Sequence, residues 1–353
     1  MSRKNRRQFL EDSMWSAAAV AAASTPGLVV AAEEQSSSPQ EKLGVAVVGV
    51  KGRGGTHIDA FAGRKDTEIL YVCDVDSDVA QSRAQAIEQK QGRKPQVEAD
   101  IRKVLEDDRV DIVSIATPNH WHALGAIWSI QAGKDVYVEK PVSHNVSEGR
   151  RIVEAARKYK KICQTGTQSR SNPGLINIIK AVHDGRIGEL KVARGLCYKP
   201  RGSIGARGNY EVPASVNYDL WSGPAPLLPL TRKSLHYDWH WQWPYGNGDL
   251  GNQGIHQMDI ARWGLGSETL CNHVISYGGR FGYEDAGDTA NTQVVVCDYG
   301  PQTLVFEVRG LKTDDYKGAK IGVIFEGTEG YAVVPSYDSG TLFDKDGKQV
   351  ESF

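Results

Sequence analysis

The chain has 353 residues, 40% hydrophobic and 24% charged, a length that fits about two domains, each able to bury its own core. Its 42 basic and 43 acidic residues leave no cationic surplus of the kind nucleic acid demands. The five cysteines (73, 163, 197, 271 and 297) are odd in number, widely spaced and without a CxxC pair, which argues against a zinc ribbon or a disulfide framework.

The N-terminus reads as an address. Arg3, Lys4, Arg6 and Arg7 precede an alanine-rich apolar stretch at 17–23, and small residues lead into a polar run. Those are the parts of a secretory signal. Arg6-Arg7 followed by Phe9-Leu10 resembles the twin-arginine export signal, so residues 1–32 are expected to direct export to the periplasm. An amphipathic N-terminal helix is the alternative. Residues 33–42 (EEQSSSPQEK) form a polar linker. The apolar stretch is short for a membrane span, and no other run approaches that length.

Residues 43–50 (LGVAVVGV) form a valine-rich run of the kind buried in a parallel sheet. Gly49, Gly52 and Gly54 follow, leading into a helix through Ile58 and Phe61. A strand, a glycine turn and a helix N-terminus make a phosphate site, because backbone N–H groups and the helix dipole both favour the anion. The middle glycine of G-x-G-x-x-G is replaced by Lys51, with Gly52 one residue later. The next strand, 68–73, ends at Asp74, twenty residues beyond Gly54, where a carboxylate would accept from ribose hydroxyls. That charge repels a 2′-phosphate and favours NAD, while Arg53 keeps NADP open. A helix-capping aspartate is the bland alternative for Asp74.

Strands at 110–116, 135–138 and 162–166 alternate with helices at 77–91, 119–133 and 145–160, which predicts a doubly wound α/β Rossmann domain over 43–166. Its strand ends carry Thr117, Asn119, Trp121, His122, Glu139 and Lys140, and ligands on such sheets bind beyond those ends. Thr117, Asn119, His122 and Glu139 are taken as cofactor-binding together with Gly49, Gly52, Arg53, Gly54 and Asp74.

The order of glycine turn, ATPNHWHA (116–123), EKP (139–141) and GIHQMD (254–259) resembles the Gfo/Idh/MocA family, which includes glucose–fructose oxidoreductase and inositol dehydrogenases. The resemblance implies a nicotinamide dinucleotide and a Lys140 that touches both nicotinamide and substrate hydroxyl. It also implies His256 as acid/base, with the family's Asp-x-x-x-His motif present here as Asn252 and His256. Asparagine cannot hold the negative charge of that aspartate, which puts a full dehydrogenase dyad in doubt. Asp259 matches a family aspartate and is expected either to support His256 or to pair with Arg262.

From 167 to 353 the strands lengthen (190–198, 292–299, 303–309, 321–326), with one convincing helix at 252–265. An α+β domain with a large, open, mostly antiparallel sheet is expected, and the resemblance implies a homo-oligomer formed through it. Relatives of this type extend further, so this domain is expected to be incomplete at its C-terminus. The run HYDWHWQWPYGNGD (236–249) is either a platform stacking on sugar C–H faces or a strand packing rings into the core. Trp121, Gln168, Tyr198 and Trp241 are taken as substrate-binding. Histidines 120, 122, 236 and 240 lack a carboxylate or cysteine to complete a ligand set, so no metal is expected. The leading function is NAD(P)-dependent oxidation or reduction of a secondary hydroxyl on a sugar, cyclitol or sugar derivative. The alternatives are a glycoside hydrolase, lyase or epimerase that uses bound NAD transiently, and a non-catalytic sugar-binding protein.

Overall fold

A computed structural model describes residues 42–353; the export signal expected at 1–32, and the linker up to residue 41, lie outside the described residues. Six strands, β1 (Leu43–Val48), β2 (Thr67–Cys73), β3 (Gln96–Glu98), β4 (Ile112–Ile115), β5 (Asp135–Val138) and β6 (Cys163–Thr165), form one sheet. The order is β3-β2-β1-β4-β5-β6, with every pairing parallel. Val45, Ala46 and Val47 have no exposed surface, because helices cover both faces of the sheet. The strand order reverses between β1 and β4, and a crevice opens at their carboxyl ends.

The helices begin where the sequence offers caps. Asp76 accepts from the N–H groups of Asp78 and Val79 to start α2 (Ser77–Gln91), which follows α1 (Gly54–Ala62). Next come α3 (Asn119–Gln131) and α4 (Val146–Tyr159), the latter capped by Asn145. α5 (Pro173–His183) opens on an Asn172 cap with proline in its first turn.

The second sheet contains β7 (Leu190–Cys197), β8 (His273–Gly279), β9 (Thr292–Asp298), β10 (Thr303–Arg309), β11 (Ile321–Gly327), β12 (Gly330–Val334), β13 (Thr341–Asp344) and β14 (Gln349–Ser352). Its order is β14-β13-β12-β11-β7-β10-β9-β8, antiparallel throughout except for β7 beside β10. The expected pair of sheets is therefore present. One face of the second sheet packs on α5 and on a long helix, through Ile178, Ile260, Phe306 and Phe325. That helix comes in two pieces, α6 (Gly248–Asn252) and α7 (Gly254–Leu265), rather than the one expected over 252–265. Gly254 and Gly264 let α7 approach the sheet: a Cβ there would meet the Phe306 ring at 2.4 Å and the Phe325 ring at 2.1 Å.

Two further expectations need correcting. The aromatic run at 236–249 is not an alternating strand; Asp238–Trp241 forms a 3₁₀ turn that buries Trp239 and Trp241 and leaves Tyr237 exposed. The sequence reading also passed over β3, β8, β12, β13 and α5. β8 carries almost no buried side chain, so its apolar residues obey no in–out alternation that a strand reading could use.

Candidate active site

A cavity of about 430 Å³ lies at the carboxyl ends of β1, β2, β4 and β5 and extends to the α6–α7 joint. Its first wall is the glycine turn. Gly49 has φ +78, and a Cβ on it would meet the Thr117 N at 2.7 Å. A Cβ on Gly54 would stand 1.9 Å from the Gly49 carbonyl oxygen, so only glycine lets the turn fold back onto the start of α1. Gly52 is different: no atom lies within 4 Å of its Cβ position, and it lines the cavity. That open cradle at a helix N-terminus fits a pyrophosphate.

At the end of β2, Asp74 lines the cavity and braces its rim, accepting from the Val50 N–H at 2.8 Å and the Asp76 N–H at 3.0 Å. Burial raises its carboxyl above the usual range, against those two hydrogen bonds. Arg53 lines the cavity too, and its Nε donates to Glu139 Oε1 at 2.8 Å, at the end of β5.

Glu139 is the hub at that end. It also takes a hydrogen bond from His57 Nε2 at 3.1 Å, and Ser114 Oγ meets the other ring nitrogen of His57 at 2.9 Å. Burial alone would raise the Glu139 carboxyl, but hydrogen bonds from His57 and Arg53 outweigh it and hold it at about 2. A fixed negative charge thus stands beside Lys140. The Lys140 ammonium donates to the Asn252 carbonyl oxygen at 2.8 Å and is lowered from its ordinary value by burial, against the pull of Glu139.

His256, on the first turn of α7, lines the same cavity. Its Nδ1 is buried and makes no hydrogen bond. Burial, and then repulsion by Lys140, lowers it from 6.5 to about 4, so the imidazole is neutral near pH 7 and free to accept a proton. His240 has the same depression to about 4, chiefly from burial, and its Nδ1 lies 2.5 Å from the Tyr237 carbonyl. An imidazole facing a carbonyl donates from that nitrogen, which leaves the Nε2 lone pair of His240 free.

The cavity brings together Gly49, Gly52, Arg53, Asp74, Thr117, Asn119, Trp121, His122, Glu139, Lys140, Gln168, Asn252 and His256. Several of these work differently from expectation. Asn252 engages Lys140 through its main-chain oxygen rather than its amide. His122 sits between the carbonyls of Pro141 (Nδ1, 2.6 Å) and Thr117 (Nε2, 2.8 Å) at the ends of β5 and β4, and its neutral ring donates its single N–H to one of them. Asp259 neither contacts His256 nor pairs with Arg262. Arg170 takes it in a two-pronged ion pair at 2.8 and 2.9 Å, which pins the Gln168–Ser171 turn to α7 and so holds Gln168 at the cavity.

Two residues expected at the substrate, Tyr198 and Trp241, lie away from this cavity. Tyr198 lies on the far face of the second sheet beside Ile324 and Val333, with its hydroxyl on Glu307 at 3.0 Å. The in–out alternation of β7 sends it there, since its neighbour Cys197 faces the helices. Trp241 is buried beneath the Arg201 guanidinium, 5.2 Å from its ring, and its neighbours Trp239 and His240 line the cavity instead. The reading also missed His57, His236, Tyr237, Trp239 and the buried Arg201–Asp249 pair at 2.7 Å. Only the aromatic run had signalled a site, and it had the wrong period.

Residues 43–167 match the model of an oxidoreductase family with an NAD-binding Rossmann fold, and residues 201–302 match that of its C-terminal alpha/beta domain. An alpha-N-acetylgalactosaminidase of Shewanella oneidensis is 30% identical over 154 residues, 42% of this chain and 34% of that protein. The chain therefore matches about a third of the length of such curated relatives. Among solved structures, the WlbA dehydrogenase of Bordetella pertussis, in complex with NADH and UDP-GlcNAcA, is similar with a TM-score of 0.65. It is 21% identical, over 88% of this chain and 83% of that one. An oxidoreductase domain protein of Kribbella flavida has a TM-score of 0.67 at 20% identity, over 89% and 80%.

Proposed function

Starting from a chain that belongs to the Gfo/Idh/MocA oxidoreductase family and binds NAD, we propose that it moves a hydride between NAD and a secondary hydroxyl of a sugar, cyclitol or sugar derivative. The observation that carries this is the unpartnered Nδ1 of a neutral His256 in the same cavity as the Lys140 ammonium and the glycine turn. Bound NAD supplies the hydride acceptor. His256 takes the hydroxyl proton, and the Lys140 ammonium steadies the negative charge that grows on that oxygen. The Asn252 carbonyl aims the ammonium, and the Glu139 carboxylate keeps it charged despite burial. Gln168, which lines the same cavity, would bind a neighbouring hydroxyl.

A second reading is favoured by the match to a glycosidase and by an amide at 252: transient oxidation that labilises a glycosidic bond, followed by return of the hydride. One experiment separates the readings. The purified protein is incubated with NAD and a panel of hexoses, amino sugars and inositols, with reduced nicotinamide followed by absorbance, and in parallel with p-nitrophenyl glycosides. Net reduction supports the dehydrogenase, release of nitrophenol without net reduction supports the second reading, and neither product from an NAD-loaded protein refutes both.

Export through residues 1–32 and assembly through the second sheet belong to the same proposal. Val274, Ile275 and Tyr277 on the edge strand β8 are mostly exposed, which supports a second copy pairing there.

A further inference from the structure

The turn between α7 and β8 lies outside the cavity and has no part in the scheme above. It carries the chain from the helix of His256 to the edge of the second sheet, and it is fixed at several points. Arg262 Nη2 donates to the Thr269 carbonyl at 3.0 Å, and Ser267 Oγ to the same oxygen at 3.3 Å. The Asn272 N–H donates to the Asp298 carbonyl at 2.7 Å, which joins the two backbones one residue beyond Cys271 and one residue beyond Cys297. The pairing of β8 with β9 continues from there, with His273 opposite Asp298 and Val274 opposite Cys297.

That register sets two thiols against each other. Cys297 is 5% exposed, in the core that the second sheet shares with α5 and α7, and the half-buried Cys271 packs against the same core. The two side chains are in hydrogen-bond contact. Burial, and then the neighbouring Cys271 thiol, pushes Cys297 up to about 11, so the better exposed Cys271 is the thiol that meets a reagent first. Cys197 borders the same core, but its neighbours there are the charged groups of Asp249, Arg201 and Lys199. The strand beside the pair is loosely held. β8 is an edge strand, hydrogen-bonded to β9 alone, and six of its seven residues are exposed. With so little apolar burial, its hydrogen bonds open before those of the interior strands.

We propose that Cys271 and Cys297 are a redox pair, joined as a disulfide when the folded chain meets a disulfide oxidant and then stapling the edge strand β8 to the sheet. The oxidant is a small-molecule or protein disulfide. The Cys271 thiolate attacks one of its sulfurs and expels a thiolate; Cys297 gives up its proton, attacks the Cys271 sulfur and expels the second. The two cysteines lose two electrons and two protons, and the oxidant leaves as two thiols. The bridge closes the open end of the β8–β9 hairpin, opposite the 280–291 connection, and makes a ring of residues 271–297. Such a ring removes open conformations of β8 more than it alters the folded hairpin. An oxidising compartment of the kind residues 1–32 are expected to reach would keep the pair joined.

The test needs neither NAD nor a sugar. Reduced protein is desalted, incubated in its folded state with oxidised glutathione, quenched with N-ethylmaleimide in denaturant and digested with trypsin. Cleavage after Arg280 leaves Cys271 on residues 263–280 and Cys297 on residues 281–309, so mass spectrometry reads the bridge as those two peptides joined. Joined peptides are expected, with Cys73, Cys163 and Cys197 carrying the maleimide. Hydrogen exchange of the β8 amides should then be about tenfold or more slower in the oxidised protein than in the reduced one. Cys271→Ser, at the half-buried position, should fold, give no joined peptides and exchange at the reduced rate with or without oxidant. Separate peptides, glutathione left on Cys271, or a bridge from Cys271 to another cysteine would each overturn the pair. Joined peptides with unchanged β8 exchange would overturn the staple.

Discussion

Replacing Lys140 by methionine removes the ammonium and keeps most of the apolar stem, so the perturbation is mainly electrostatic. In the native site that ammonium donates to the Asn252 carbonyl at 2.8 Å and shares the cavity with His256. Burial and then Lys140 take His256 from 6.5 to about 4. At about 1.4 kcal/mol per pH unit, that is roughly 3 kcal/mol against the imidazolium. With the ammonium gone, burial remains but the repulsion does not, and His256 must titrate higher. Loss of the donor to the developing alkoxide costs about 10²–10³ in rate, some 3–4 kcal/mol.

The pH profile gives the sign. Wild-type turnover needs a neutral His256 and a charged Lys140. The rate falls on the acid side as pH drops through about 4, and on the alkaline side as Lys140, lowered by burial, loses its proton. In Lys140→Met the alkaline limb should vanish and the acid limb should move toward neutrality, with NAD still bound. The assay is kcat/KM for NAD reduction across pH, on whichever panel sugar reacts fastest, with nitrogen NMR of His256 in parallel. A variant within about threefold of wild type, or a His256 resonance that titrates where it did before, refutes the reasoning.

Four further outcomes follow from the same geometry. Gly54→Ala should fail to fold or lose NAD, because its Cβ falls 1.9 Å from a backbone oxygen. Gly52→Ala has open space, so thermal melting should find it as stable as wild type while calorimetry finds weaker NAD binding. Asp74→Ala should weaken NAD more than NADP, and should cost about 1–3 kcal/mol in denaturant unfolding because two backbone N–H groups lose their acceptor. Asn252→Asp places a carboxylate on the residue whose main chain holds Lys140, and that contact survives the substitution. The new charge should raise the His256 titration and shift the acid limb of the pH–rate profile upward; an unmoved limb would separate residue 252 from His256.

Much of the first domain was legible because its signals are local. A valine run buried on both faces, glycines where a Cβ has no room and an aspartate at a strand end each announce themselves within a few residues. The same holds for Lys140 and His256, whose motifs mark their places in the chain. What those residues touch was settled by contacts between distant segments. Asp259 belongs to Arg170, 89 positions away, and Lys140 to the main chain of Asn252, 112 positions away. Tyr198 left the site because one step along a strand reverses the face. The aromatic run left its expected strand because a turn of about three residues buries different rings from an alternation of two. The contact between His236 and Asp76 has no local mark at all, since neither partner's sequence neighbourhood contains the other. Periodicity along the chain determined where backbone and apolar surface go; only the docking of one domain on the other decided which polar groups meet, because hydrogen-bond partners are chosen by proximity in space.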